Sequence, residues 1–147
     1  MEPEEVAEIH LVNNNIRVQK FNENGGGEVS IPNPIRTFNE MFLHYPDILS
    51  KLKPVGFTAP LPIETQDWPI TLQGLDLISN TPTGTGSTLA FILLAFIHIR
   101  DIKGQSAARA ESGGPNILIM SPMWKLVLQI ESDITKYKYH DINCICI

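Results

Sequence analysis

A glycine- and threonine-rich loop carries the residue types and spacing best suited to a chemical task. It reads TPTGTGST over Thr81–Thr88, between a short apolar segment and a long one. In that position backbone N–H groups and a helix N-terminus can be turned toward an anion. Gly84 and Gly86 permit a tight turn, and Thr88 stands where a hydroxyl can hold Mg²⁺. The sequence therefore predicts a phosphate-binding loop.

The loop departs from the general phosphate-loop pattern at one position. That pattern ends in Gly-Lys followed by Ser or Thr, whereas this loop ends in Gly86-Ser87-Thr88. The positively charged residue is missing. A loop of this composition is weak evidence by itself, so its interpretation depends on the surrounding segments.

The surrounding segments predict an α/β fold. We interpret three short apolar runs as parallel strands: Asp76–Asn80, Asn116–Met120 and Asn143–Ile147. Apolar periodicity and proline placement predict helices over Asp47–Lys53, Glu64–Leu72, Thr88–Arg100 and Trp124–Tyr137. Continuous apolar strands alternating with helices are typical of a parallel sheet covered on both faces. We expect one sheet, with the Thr88–Arg100 helix packed against it.

The first 30 residues differ from the rest in composition and charge. They hold six acidic residues against Arg17 and Lys20, whereas residues 31–147 hold ten acidic and nine basic residues. Asn13–Asn15 and Gly25–Gly27 interrupt sparse apolar residues, so we predict a flexible acidic tail over 1–30. The remainder is not basic enough to indicate nucleic-acid binding from charge alone.

Cysteine, histidine and hydropathy patterns exclude several classes of protein. Cys144 and Cys146 are too few for a four-ligand metal site, and the four histidines are scattered. The N-terminus lacks the apolar run of a signal peptide. The longest apolar run, Leu89–Ile99, is shorter than the roughly 20 residues that span a bilayer. We therefore expect an intracellular protein, in the nucleus or cytoplasm, without a membrane segment.

The region before the glycine loop carries a specific resemblance. Gly56–Ile78 reads GFTAPLPIETQDWPITLQGLDLI. This is similar to the Q-motif region of DEAD-box RNA helicases, with matches at Gly56, Phe57, Pro60, Ile63, Gln66, Trp68, Pro69, Leu72, Gly74, Asp76, Leu77 and Ile78. Within the loop Thr83, Gly84, Thr85, Gly86 and Thr88 also match. The Ile31–Pro34 lead-in and the spacer to Gly56 look most like the subgroup with an upstream KH domain.

The resemblance implies a fold, cofactors and partners. Residues 31–147 resemble a truncated first RecA-like helicase domain, a P-loop fold that binds ATP, Mg²⁺ and RNA in this family. The nucleotide-binding positions would be Phe38, Phe57, Glu64, Gln66, Thr83, Gly84, Thr85, Gly86, Ser87 and Thr88, with Thr88 also at the Mg²⁺ position. The RNA-contacting positions would be Pro122, Met123 and Trp124. The resemblance does not identify a protein partner.

Several departures from the family pattern fall on residues that do chemistry. Ser87 replaces the lysine whose charge stabilises the transferred phosphoryl group. Glu64 replaces the Q-motif glutamine, and an ionised carboxylate only accepts hydrogen bonds where an amide also donates. Met123 and Trp124 replace the threonine and arginine of the motif that meets the RNA backbone. We expect Trp124 to be a packing residue rather than a base-stacking one.

Three functional hypotheses follow from this mixture of matches and departures. The first is a catalytically inactive, truncated, pseudogene-like product in which ATP binding is weak or absent. The second is a non-catalytic module that keeps nucleotide or RNA binding. The third is an active helicase whose remaining motifs come from a partner chain. The absence of ATP hydrolysis separates the first two from the third.

Overall fold

The computed structural model describes residues 1–13, 15–20, 30–52, 56–82, 87–105, 114–137 and 142–147. Six helices are described: α1 (Pro3–Val12), α2 (Phe38–Phe42), α3 (Pro46–Leu52), α4 (Pro62–Leu72), α5 (Ser87–Gln105) and α6 (Trp124–Tyr137). The four predicted helices correspond to α3 to α6. None of the described helices is long and apolar enough to cross a membrane.

Helix α4 holds a proline in its interior, and that proline determines how the preceding chain docks. Pro69 has no N–H, so the carbonyl of Thr65, four residues earlier, loses its helical partner. The N–H of Ile35 donates to this carbonyl at 2.8 Å. The carbonyl that Pro69 leaves unpaired in α4 therefore binds the segment that leads into α2. The helix ends at Leu72, and Gly74, two residues later, has a positive φ of 74° that suits glycine.

The core lies where α2 and α4 meet α5. Trp68 is fully buried, with its ring centroid 5.4 Å from that of Phe42 and 5.8 Å from that of Phe38. Its indole N–H donates to the carbonyl of Ala90 at 2.8 Å. Helix α5 adds its most buried side chains, Ile92, Leu93, Phe96 and Ile97. The prediction that α5 is buried is confirmed for one side of the helix only, because Phe91 and His98 are exposed.

Helix α6 covers the core with one face. Ile130 and Ile134, one turn apart, are its buried residues, and Tyr137 packs on Phe57 with ring centroids 6.0 Å apart. The opposite face carries exposed charged residues such as Lys125 and Lys136 in a pattern typical of an amphipathic helix. The observed bounds of α6 equal the predicted ones.

The prediction of a three-stranded parallel sheet is wrong for the described residues. Residues 75–82, 114–121 and 142–147 contain no strand, and no described backbone hydrogen bond joins any two of these segments. Their burial still alternates, because Leu77 and Ile119 are half-buried while Ile78 and Met120 are 91% and 86% exposed. A helix closes its hydrogen bonds internally, but a strand needs a neighbour about 4.8 Å away.

The prediction of a flexible tail over residues 1–30 is wrong for its first part. Residues 3–12 form α1, which begins at Pro3 and is capped by a hydrogen bond from the N–H of Glu2 to Glu5 Oε2 at 2.9 Å. Ile9 is only 8% exposed. The composition rule failed here because a few long-range contacts suffice to dock a short helix. Residues 21–29 lie outside the described part of the chain.

Candidate nucleotide site

The first turn of α4 places the Q-motif position at the centre of the candidate site. Glu64 is 1% exposed. Its Oε2 atom accepts the N–H of Leu61 at 2.8 Å, which is how a residue at the third helical position caps a helix start. Its Oε1 atom is buried and has no hydrogen-bond partner among the described residues. The turn thus holds one satisfied and one unsatisfied carboxyl oxygen.

The protonation of Glu64 follows from this burial. Desolvation raises the pKa of Glu64 to about 7, the Leu61 N–H opposes the rise, and the negative charge of Asp67 adds to it. Near neutral pH the side chain is therefore present in both forms, and its neutral form can donate as well as accept. The expectation of a carboxylate that only accepts applies to the ionised form, and burial adds a neutral form to it.

The second predicted Q-motif residue, Gln66, forms hydrogen bonds that join α4 to α1 and to the segment before α2. It is 2% exposed. Its Nε2 donates to the carbonyl of Pro32 at 3.0 Å, and its Oε1 lies 2.7 Å from Nε2 of His10. The carbonyl can only accept, so it fixes the orientation of the amide. His10 must then carry its proton on Nε2. Gln66 uses both ends of its amide to hold α1 and the lead-in segment on α4.

The two predicted aromatic residues lie in different environments. Phe38 is 6% exposed, and its ring stacks on Phe42 with centroids 6.1 Å apart. Its ring therefore belongs to the core in this structure. Phe57 is half-buried beside Tyr137 of α6. The structure brings Phe38 close to α4 through Trp68, and it places Phe57 against a different helix.

The predicted phosphate loop is only partly within the described residues. Thr83, Gly84, Thr85 and Gly86 lie outside them, and α5 begins at Ser87 with Thr88 half-buried in its first turn. The hydrogen bond from Trp68 to Ala90 fixes this end of α5 against α4. A helix N-terminus held beside the Q-motif helix suits an anion. Among the described side chains, no group of three or more His, Cys, Asp or Glu residues could hold a metal ion.

The three predicted RNA-contacting residues are brought together at the surface. Pro122 is exposed, and Met123 and Trp124 are 58% and 59% exposed at the start of α6. The expectation that Trp124 is a packing residue is wrong, because α6 turns its buried face away from this indole. Met120, at 86% exposure, extends the same surface.

Two residues that sequence analysis missed also belong to the site. His10 was assigned to a tail, and only its contact with Gln66 reveals its role. Asp67 faces a cavity of about 400 Å³ that is also lined by Ile63, Leu77 and Phe91. Burial raises the pKa of Asp67, and a hydrogen bond with Ser79 opposes the rise. The one available signal for Asp67 was its position one helical turn after Glu64.

Comparisons with known proteins identify the family of this chain. The DEAD/DEAH box helicase family model matches residues 61–147. The chain is 38% identical over 122 residues to a probable ATP-dependent RNA helicase, DDX43, of Homo sapiens, covering 83% of this chain and 18% of that protein. It is 36% identical over 123 residues to DEAD-box ATP-dependent RNA helicase 14 of Arabidopsis thaliana, covering 83% and 19%.

A solved structure extends the likeness to three dimensions. The chain is similar to the RNA helicase Prp28 from Chaetomium thermophilum bound to ADP, with a TM-score of 0.63 and 37% identity. The match covers 75% of this chain and 26% of that one. The chain thus spans about a fifth to a quarter of the relatives it matches, and the described helices fit part of a RecA-like domain. It belongs to the DEAD/DEAH box helicase family.

Proposed function

We propose that this chain is a catalytically inactive member of the helicase family that binds adenine nucleotide without hydrolysing ATP. The proposal rests on two features of the candidate site: the packing of α4 on the start of α5, and the absence of a positively charged residue at position 87. Trp68 anchors the Q-motif helix to the start of α5 through a 2.8 Å bond to Ala90, while Ser87 stands where the family pattern has lysine. The packing of α4 on α5 supports nucleotide binding. The serine at position 87 removes the positive charge that phosphoryl transfer requires.

The missing charge is the reason to expect no hydrolysis. Phosphoryl transfer depends on positioned cations that neutralise charge on the β- and γ-phosphates. A serine hydroxyl is uncharged and shorter than a lysine side chain by several bonds. Binding depends less on this one residue, because backbone N–H groups and the helix N-terminus also attract phosphate. The similar helicase Prp28 was solved with ADP bound, which supports the nucleotide class.

A hydrolysis assay tests the first half of the proposal. Phosphate release from ATP with Mg²⁺ and single-stranded RNA should not exceed that of a protein-free blank. Thr88→Ala, which alters the predicted Mg²⁺ position, serves as the matched control. Hydrolysis by the unmodified chain that disappears in Thr88→Ala would contradict the proposal.

A calorimetric titration tests the second half. The chain should bind ADP weakly, and Ser87→Lys should tighten binding because it restores a charge near the phosphates. Hydrolysis should still be absent in this variant, because phosphoryl transfer also needs groups that hold Mg²⁺ and orient the attacking water. No binding by either protein would reject nucleotide binding as the function.

RNA binding is a second candidate function, favoured by the exposed indole of Trp124. Stacking of a base on an aromatic side chain contributes about 1–3 kcal/mol. The chain has two tryptophans, and Trp68 is fully buried. Quenching of tryptophan fluorescence by single-stranded RNA should therefore report Trp124. The quenching should survive in Trp68→Phe and vanish in Trp124→Phe. Equal quenching in both variants would reject this site.

A further inference from the structure

Residues 117–121 form an extended segment whose backbone lacks a partner. Ile117 and Ile119 are half-buried, whereas Leu118 and Met120 are 75% and 86% exposed. Such alternation is that of a strand, in which successive side chains point to opposite faces. Among the described residues, no backbone N–H or C=O group of this segment takes part in a backbone hydrogen bond. The segment therefore presents strand-like side chains and a free set of strand hydrogen-bonding groups.

The same segment borders an apolar recess, a cavity of about 690 Å³. Leu72 at the end of α4 and Phe91 of α5 line the recess and are 41% and 37% exposed. Leu118 and Met120 line it as well. Four large, exposed apolar side chains thus surround one recess. Clusters of exposed apolar side chains mark sites of interaction.

The residues around the segment limit how far another strand could pair with it. Pro115 precedes it and Pro122 follows it, and neither proline has an N–H to donate. No charged residue lies between the two prolines. Charged side chains are among the features that keep an exposed strand edge from pairing with another chain. The segment is therefore short, uncharged and open to pairing.

The segment is complementary to itself in the antiparallel direction. When two copies pair with Ile119 opposite Ile119, Leu118 of each copy lies opposite Met120 of the other. Side chains directly opposite one another have Cβ atoms about 4.5–5.5 Å apart. Each of these contacts joins apolar side chains. A twofold axis through the pair makes the interface the same for both copies, so assembly stops at two.

The area that this pairing covers suits a weak dimer. Each exposed apolar side chain around the recess carries on the order of 100 Å² of apolar surface. With the backbone between them, each copy covers roughly 400–500 Å², or about 1,000 Å² for the pair. This total lies at the low end of specific interfaces, so the dimer should form only as the protein concentration rises.

We propose that a second copy of this chain pairs with the first through residues 117–121, as antiparallel strands related by a twofold axis beside the apolar recess. The pairing supplies a strand neighbour about 4.8 Å away and covers Leu118 and Met120. It does not depend on nucleotide binding, because none of the predicted nucleotide-binding residues lies in the segment or lines the recess.

Sedimentation velocity over a range of protein concentrations tests the proposal. The unmodified chain should pass from monomer to dimer without larger species. Leu118→Glu should weaken the dimer by at least about tenfold, because it places a charge opposite Met120 of the other copy. Leu11→Glu, at a 69% exposed position of α1, is the matched control and should leave the dimer unchanged. Both side chains are exposed, so circular dichroism should show the same helix content in both variants.

A double variant tests the direction of pairing. Leu118→Glu combined with Met120→Lys places a carboxylate opposite an ammonium group at two points of the antiparallel pair. Opposite charges across a strand pair attract, so this variant should dimerise several-fold more tightly than Leu118→Glu alone. In a parallel pair each introduced charge would face its own kind, and the double variant would not recover.

Four results would overturn the proposal. The first is a chain that stays monomeric at every concentration, including one whose recess binds an unrelated extended peptide instead. The second is a dimer that Leu118→Glu leaves intact or that Leu11→Glu weakens equally. The third is a series of larger assemblies without a dimer, and the fourth is a double variant that does not recover. None of these results bears on nucleotide binding.

Discussion

Two regions of this chain have similar apolar content but differ in how well they are packed. Around α4 and α5, Trp68, Phe42 and Ile92 are fully buried, and the indole N–H of Trp68 has a backbone partner. In the extended segments, Ile78 and Ile145 are 91% and 83% exposed. No described backbone hydrogen bond joins one of these segments to another.

The difference shows which parts of an α/β pattern can form independently. Helices satisfy their own backbone groups, so α4 and α5 need only an apolar face to pack. An extended segment leaves its N–H and C=O groups unpaired until another strand lies beside it. The side chains of residues 117–120 alternate between half-buried and exposed, as they would in a strand, although the backbone makes no strand hydrogen bonds among the described residues.

The largest expected effect lies at the centre of the helical region. Trp68→Ala should lower the free energy of unfolding by about 3–5 kcal/mol, because it removes a fully buried ring and leaves a cavity. Trp68→Phe is the control: it keeps a ring and loses the bond to Ala90, which costs about 1 kcal/mol. Urea denaturation measures both. Equal losses in the two variants would mean that the hydrogen bond, not packing, holds α4 on α5.

The buried carboxyl group of Glu64 should make the stability of the chain depend on pH. The pKa of Glu64 is raised from 4.5 to about 7 in the folded chain, so between these values the folded state binds more protons than the unfolded state. Its contribution to stability is present below pH 4.5 and is lost as pH rises to 7. The loss amounts to roughly 3 kcal/mol.

Glu64→Gln serves as the reference for this pH effect. Denaturation of both proteins at pH 4.5, 6 and 8 should show their stability difference growing in favour of the variant as pH rises. A difference that stays constant would show that Glu64 has an ordinary pKa.

The docking of α1 is expected to be weaker than the packing of the core. His10→Ala should cost about 1 kcal/mol, because it removes the 2.7 Å bond to Gln66 at a half-buried position. Faster hydrogen exchange should be confined to the amides of α1. Leu11→Ala is the matched control on the same helix, since Leu11 is 69% exposed. Identical exchange in the two variants would indicate that Ile9 and the Arg36–Glu5 ion pair hold the helix without His10.

The smallest expected effect on stability lies in the extended segments. Ile78→Thr should change the free energy of unfolding by less than about 0.5 kcal/mol, because the side chain is 91% exposed. It should also reduce aggregation, measured by light scattering. Ile92→Thr, at a fully buried position of α5, should be strongly destabilising. A large loss in Ile78→Thr would show that this segment is packed in solution.

Features of the chain could be predicted where the physical cause is local. Trp124–Tyr137 was predicted with its observed bounds, because charge and apolar residues alternate with helical periodicity over the whole segment. α4 was predicted from Glu64 and begins at Pro62. Helix α1 was missed, because its docking depends on residues far along the chain: His10 and Gln66 are 56 positions apart.

In the candidate site, too, some features follow from the local sequence and others only from tertiary contacts. The order of the Q-motif residues and the replacement of lysine by Ser87 are properties of the sequence, and they were sufficient to indicate the family. Other features of the site depend on burial and on distant partners. These are the raised pKa of Glu64, the hydrogen bonds of Gln66 to His10 and Pro32, and the exposure of Trp124. Local patterns specify helices because each helix closes its own hydrogen bonds. Only the tertiary structure sets the solvation of a side chain, and the burial of Glu64 raises its pKa to about 7.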